Sequence, residues 1–97
     1  MTKAIPTIHV ENDHVRVTEW RFAPGAATGW HRHDFDYVIT PVIGGEVTLV
    51  DGQGNRTPFT MVPGTSYFRA AGVEHDVING DGGELAFVEV ELKGRSG

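Results

Sequence analysis

Apolar and polar side chains alternate with a period of two along most of this chain, the spacing of strands with one wet face. Residues 46–50 (EVTLV) set Val47 and Leu49 on one side, Glu46 and Thr48 on the other. Residues 84–92 (ELAFVEVEL) set Ala86, Val88, Val90 and Leu92 on one side with Leu85 and Phe87 opposite, so both faces are partly apolar. Residues 15–22 (VRVTEWRF) are rich in β-branched and aromatic side chains and stop at Ala23-Pro24-Gly25. Shorter strands are predicted at 58–62, 65–69 and 75–79, closed by Pro63-Gly64 and by the loop that starts at Asn79-Gly80. The run from Asp51 to Asn55 reads as a hairpin loop. No stretch of a dozen residues keeps an apolar helical period free of Gly and Pro. The pattern predicts about seven or eight short strands in an all-β sandwich or barrel, one domain over residues 1–97, with a frayed tail from about residue 94.

Residues 31–40 (HRHDFDYVIT) carry the chemistry. Read as one strand, they place His31, His33, Phe35, Tyr37 and Ile39 on one face and Arg32, Asp34 and Asp36 on the other. The charged face is the wet one, so the imidazoles point inward and the two aspartates do not. Alternate residues of a strand lie ~6.5–7 Å apart, so both rings reach one metal ion at ~2.0–2.2 Å. A metal-free pair of buried histidines would need other partners for its polar atoms. His75, at the start of a strand after Gly72, is the candidate third ligand. His9 and His14 lie in an edge-like segment and a polar turn and are read as outside the site.

Composition narrows the rest. The 13 glycines and 5 prolines are scattered, as turns between strands rather than a linker. Eight Lys+Arg against 13 Asp+Glu leave a formal charge of −5, which argues against nucleic-acid binding. The absence of cysteine excludes thiolate sites and disulfides. No apolar run approaches the ~20 residues of a membrane span, and the first residues lack an export pattern, so a cytoplasmic protein is expected.

The spacing Gly25-x5-His31-x-His33-x3-Tyr37-x6-Gly44 resembles the first motif of the cupins, and Gly64-x5-Ala70-x-Gly72-x2-His75-x3-Asn79 resembles the second. The resemblance implies a small antiparallel β-barrel or jelly roll, one divalent metal, and His31, His33 and His75 as its ligands. Two positions depart from the pattern: Tyr37 stands where the cupins carry an acidic ligand, and Ala70 replaces a proline. The segment TEWRFAPG and the tyrosine at the acidic position are similar to cupins associated with β-alanine degradation.

Three neutral ligands leave the metal its full charge, which favours small anionic, chelating metabolites. Ligands free of sulfur suit Fe(II), Mn, Ni, Zn or Cu(II) alike. Tyr37 has three roles open to it: a hydrogen bond to a metal-bound water or substrate oxygen, metal ligation as phenolate, or core packing. Phe35 and Ile39 are expected to line the barrel floor, and Arg69 either grips a substrate carboxylate or pairs with a glutamate at the surface. Trp20 and Trp30 are read as packing residues, Glu19 and Arg21 as a pair, and Asn79 as a turn anchor. Two functions fit: a metalloenzyme of the dioxygenase or Lewis-acid isomerase/lyase kind, or a non-catalytic small-molecule-binding or accessory protein whose metal is structural or absent. Exposed strand edges and the two-sided final strand predict a homodimer.

Overall fold

A computed structural model describes residues 2–80 and 82–93; the tail expected to fray from residue 94 lies outside the described residues. The described chain forms β1 (Ile5–Glu11), β2 (Val15–Phe22), β3 (His31–Arg32), β4 (Asp36–Ile43), β5 (Gly45–Val50), β6 (Arg56–Met61), β7 (Tyr67–Arg69), β8 (Glu74–Asn79) and β9 (Leu85–Leu92). They build two sheets, ordered β1-β2-β9-β4-β7 and β3-β8-β5-β6, with every named strand pair antiparallel. The core lies between the sheets, around Phe22, Tyr37, Ile39, Val47, Met61, Val77, Leu85 and Phe87.

One expectation is corrected and one left open is decided. Residues 31–40 are not one strand: β3 belongs to the four-stranded sheet, β4 to the five-stranded one, and residues 33–35 cross between them. On β9 the interior face carries Leu85, Phe87, Glu89 and Glu91, all buried, while Val88 and Val90 on the outer face are half-buried. The large rings and branched chains win the interior: Phe87 pairs in register with Trp20, and Leu85 with Phe22. The two glutamates share their parity and are carried in with them.

Among the glycines of the two motifs, Gly25, Gly64 and Gly72 adopt positive φ (77°, 80° and 101°), which side-chain-bearing residues rarely do. Gly44 is needed for space instead, since a Cβ there would stand 2.6 Å from the Met61 carbonyl oxygen and from Pro63 Cδ. Asn79, at the end of β8, is 5% exposed. Its amide Nδ2 donates to the carbonyls of Phe22 (3.3 Å), Ala23 (3.1 Å) and Gly83 (2.8 Å), tying β8 to the ends of β2 and the last loop. Asn79→Ala is expected to lower unfolding free energy by about 1–3 kcal/mol in urea titration, because buried carbonyls lose their donor. An unchanged midpoint would show that the amide is replaceable by water.

Candidate metal centre

The crossing between sheets assembles the site. β3 and β8 pair with His31 directly opposite His75, and their ring centroids stand 4.7 Å apart. His33 follows in the crossing, where its N–H donates to the Val73 carbonyl (2.9 Å) and its carbonyl accepts from Gly72 N–H (2.8 Å). Those two bonds hold His33 against the loop that leads into β8. The His31 and His33 Nε2 atoms are 3.0 Å apart, and those of His33 and His75 are 3.2 Å apart. Nitrogens bound at right angles to one ion at ~2.1 Å stand about 3 Å apart, so His33 fits a position adjacent to each of the other two, and all three ligand atoms lie within 4.8 Å of one another.

The donor chemistry agrees. His31 Nδ1 donates to the Gly29 carbonyl at 2.9 Å, which leaves the Nε2 lone pair facing the other two rings. Burial pushes His33 down to about 3, and the neighbouring His31 and His75 push the same way. Burial likewise lowers His75 to about 4, with His31 adding. These two imidazoles are therefore neutral at physiological pH. Their nitrogens are available to a cation, and three borderline donors suit Zn, Fe(II), Ni, Cu(II) or Mn. The three rings are among the described residues that could hold a metal ion.

The cupin-domain family matches residues 18–91, most of the chain and the whole of this site. The chain is a cupin. It is 53% identical over 91 residues to the "Beta-alanine degradation protein BauB" of Pseudomonas aeruginosa, covering 94% of this chain and 95% of that one. A cupin domain from Bordetella pertussis Tohama I has the same fold, with a TM-score of 0.91 at 47% identity and 96% of both chains covered. The polyketide cyclase RemF from Streptomyces resistomycificus shares the fold alone, with a TM-score of 0.72 at 23% identity, covering 98% of this cupin and 68% of RemF.

A cavity of about 170 Å³ opens beside the three rings, room for a small metabolite. Its wall contains Ile39, Tyr37 and Arg69, three of the residues singled out from sequence. Phe35, expected on the floor, does not line it: it falls in the crossing at 33–35, half-buried, where the strand alternation is broken. Tyr37 is 2% exposed, and its ring lies on that of His33, with centroids 3.9 Å and planes 19° apart. Burial raises its hydroxyl pKa, with Glu89 adding, which disfavours a phenolate. The stacking gives Tyr37 a further part, fixing the plane of a candidate ligand.

Arg69 is half-buried, its guanidinium carbon 4.5 Å from the centre of the Tyr67 ring and its Nη1 donating to the Phe68 carbonyl at 2.9 Å. No carboxylate pairs with it among the described residues. Asp34 points to solvent, and Asp36 accepts from Ala71 N–H at 2.8 Å, away from the centre. Trp20 joins the cavity wall, while Trp30 is 52% exposed and lies over Gly52. His9 pairs with Glu19, which also binds Arg21.

Glu89 was missed from sequence. It is 7% exposed, lines the cavity, and has Oε2 3.6 Å from His33 Nδ1 while Oε1 accepts from Trp20 Nε1–H at 3.4 Å. Burial raises its pKa to about 7, with Glu91 adding. Its parity with Leu85 and Phe87 was the available signal, once the bulkier of the two apolar faces is assigned to the interior.

Proposed function

We propose that this cupin is a metalloenzyme that holds one divalent ion on the Nε2 atoms of His31, His33 and His75 and acts on a small carboxylate-bearing metabolite. The observation that carries the reading is the convergence of three imidazole nitrogens at 3.0 and 3.2 Å, with the His31 tautomer set by Gly29. The metal, when bound, supplies Lewis-acid polarisation of a substrate oxygen or, for Fe(II), oxygenase chemistry. Arg69 is the candidate anchor for the carboxylate: its guanidinium borders the cavity, stacked on Tyr67 and without an acidic partner among the described residues. Ile39 bounds the apolar part of the cavity, and the Tyr37 hydroxyl serves as a neutral hydrogen-bond donor to substrate.

The choice of a small carboxylate draws on the BauB protein, whose name ties it to β-alanine degradation. β-Alanine is a three-carbon amino carboxylate, and a cavity of about 170 Å³ suits molecules of that size. A cytoplasmic location belongs to the same proposal. So does a second copy of the chain, covering the outer face of the five-stranded sheet, where Val10, Val42, Phe68 and Leu92 are exposed. Sedimentation as a monomer at micromolar concentration would remove that second copy.

Thermal-shift titration with Fe(II), Mn, Ni, Zn and Cu(II), followed by calorimetry with three-carbon amino, oxo and hydroxy carboxylates, tests the reading. At least one metal raises the melting temperature, and one carboxylate binds only to the loaded protein, at least tenfold more weakly in Arg69→Met. Product analysis by NMR, with oxygen consumption for the Fe(II) form, then identifies the reaction. Carboxylate binding without turnover under every metal would make the protein a binding module. No thermal shift with any metal would end the metalloenzyme reading.

A further inference from the structure

His33 is the candidate ligand held most completely. Backbone bonds fix its main chain, Tyr37 fixes its ring plane, and the atom on the far side of the ring from the metal, Nδ1, looks at Glu89 Oε2 across 3.6 Å. That separation is longer than a hydrogen bond, so the contact is one of charge rather than a formed bond. A carboxylate that is 7% exposed has lost most of its hydration and needs a compensating partner. The nearby cation makes no ion pair with it: Arg16 pairs with Glu91 and Glu11 and acts on Glu89 only across space. Trp20 occupies Oε1, and among the described residues Oε2 makes no hydrogen bond and faces the His33 ring. An imidazole bound to a metal through Nε2 becomes a stronger Nδ1–H donor, and a carboxylate behind it is the usual orienting partner.

We infer that Glu89 is a positioning residue of the metal centre, which holds the His33 Nδ1–H toward β9 so that the Nε2 lone pair faces the metal. It supplies from behind the ring the negative charge that a chain with Tyr37 at the acidic position lacks among its ligands. The inference rests on the three-histidine metal reading above and adds a residue from a strand outside both histidine motifs. The carboxylate acts through His33, so its signature is metal affinity and ligand-field geometry rather than contact with substrate.

A merely structural glutamate and a positioning one predict opposite behaviour in Glu89→Gln, which keeps the size and an acceptor oxygen but removes the charge. In the metal-free protein the melting temperature is expected to stay level or rise, because a desolvated charge is gone. Ni(II) affinity by calorimetry at pH 8 is expected to fall about tenfold, at an unchanged stoichiometry of one. The Cu(II) electron paramagnetic resonance spectrum is expected to change its hyperfine splitting. Glu89→Asp, one methylene shorter, is expected to retain part of the affinity, and it reads the same effect should the glutamine variant fail to fold. Wild-type Ni(II) affinity and spectrum in both variants would overturn the inference, as would a lowered metal-free melting temperature with unchanged affinity. Two ions bound by the wild type and one by Glu89→Gln would overturn it too, making Glu89 a ligand of a second ion beside Glu91. A wild type that binds no metal fails the underlying reading itself, a result separable from all of these.

Discussion

His33→Ala is expected to weaken divalent-metal binding by more than the roughly 10–100-fold that loss of an outer partner costs, because it removes a ligand outright. His33 is the shared vertex of the site, with its Nε2 3.0 Å from that of His31 and 3.2 Å from that of His75. Without it the remaining pair, opposed across β3 and β8, offers two donors and leaves the ion to water. Calorimetry with Ni(II) and metal content after dialysis read the effect, and circular dichroism checks the fold. His75→Ala removes a half-buried ring from a regular strand and is the gentler companion variant. Wild-type affinity in both would mean that the metal sits elsewhere or nowhere.

Phe22→Ala is expected to cost about 3–5 kcal/mol of unfolding free energy, the range for deleting a fully buried aromatic ring. Phe22 is 0% exposed at the end of β2 and packs on Phe87 with ring centroids 5.5 Å apart. Its in-register neighbour on β9 is Leu85, so the hole opens beside Leu85 and Phe87 in the core between the sheets. A domain of this size has about 5–15 kcal/mol in total, and each kcal/mol moves the melting temperature by roughly 4–8 °C. The metal-free variant should therefore melt at least about 12 °C lower. Phe22 does not line the cavity, so whatever fraction stays folded should bind metal with wild-type stoichiometry. A loss under about 1 kcal/mol would mean that the sheets close over the gap.

Most of the fold was legible because a strand's alternation is written in the chain itself. Strands β2, β5, β8 and β9 lie within a residue of where the pattern put them, and the glycines and prolines mark their ends. The three imidazoles were legible for a related reason: their spacing brings His31 and His33 near one another in any extended path, and a family resemblance tied His75 to them. Inward or outward on a given strand is a different kind of information. On β9 both faces are apolar enough to be buried, and the choice falls to whichever set fits the opposite sheet.

The same limit explains the other departures. Local sequence predicts one strand over residues 31–40 because nothing between 33 and 35 resembles a turn: it holds no glycine or proline. The break is imposed from outside, by the loop at Gly72–Val73, which takes the backbone bonds of His33. Phe35 loses its expected place on the cavity wall for that reason, while Tyr37 and Ile39 regain the interior once β4 joins the other sheet.

By itself, then, the sequence determined an all-β chain with His31 and His33 spaced to meet, since side-chain alternation and ligand spacing within one segment are short-range properties, while His75 was tied to them by the resemblance of its motif to the cupins. Only the tertiary structure decided that His33 sits between sheets, that Tyr37 lies flat against it, and that Glu89 stands behind it. The place of His33 depends on backbone bonds to the distant Gly72–Val73 loop, Tyr37 reaches it because the chain crosses between sheets after residue 33, and Glu89 comes inward because that face of β9 packs against the opposing sheet.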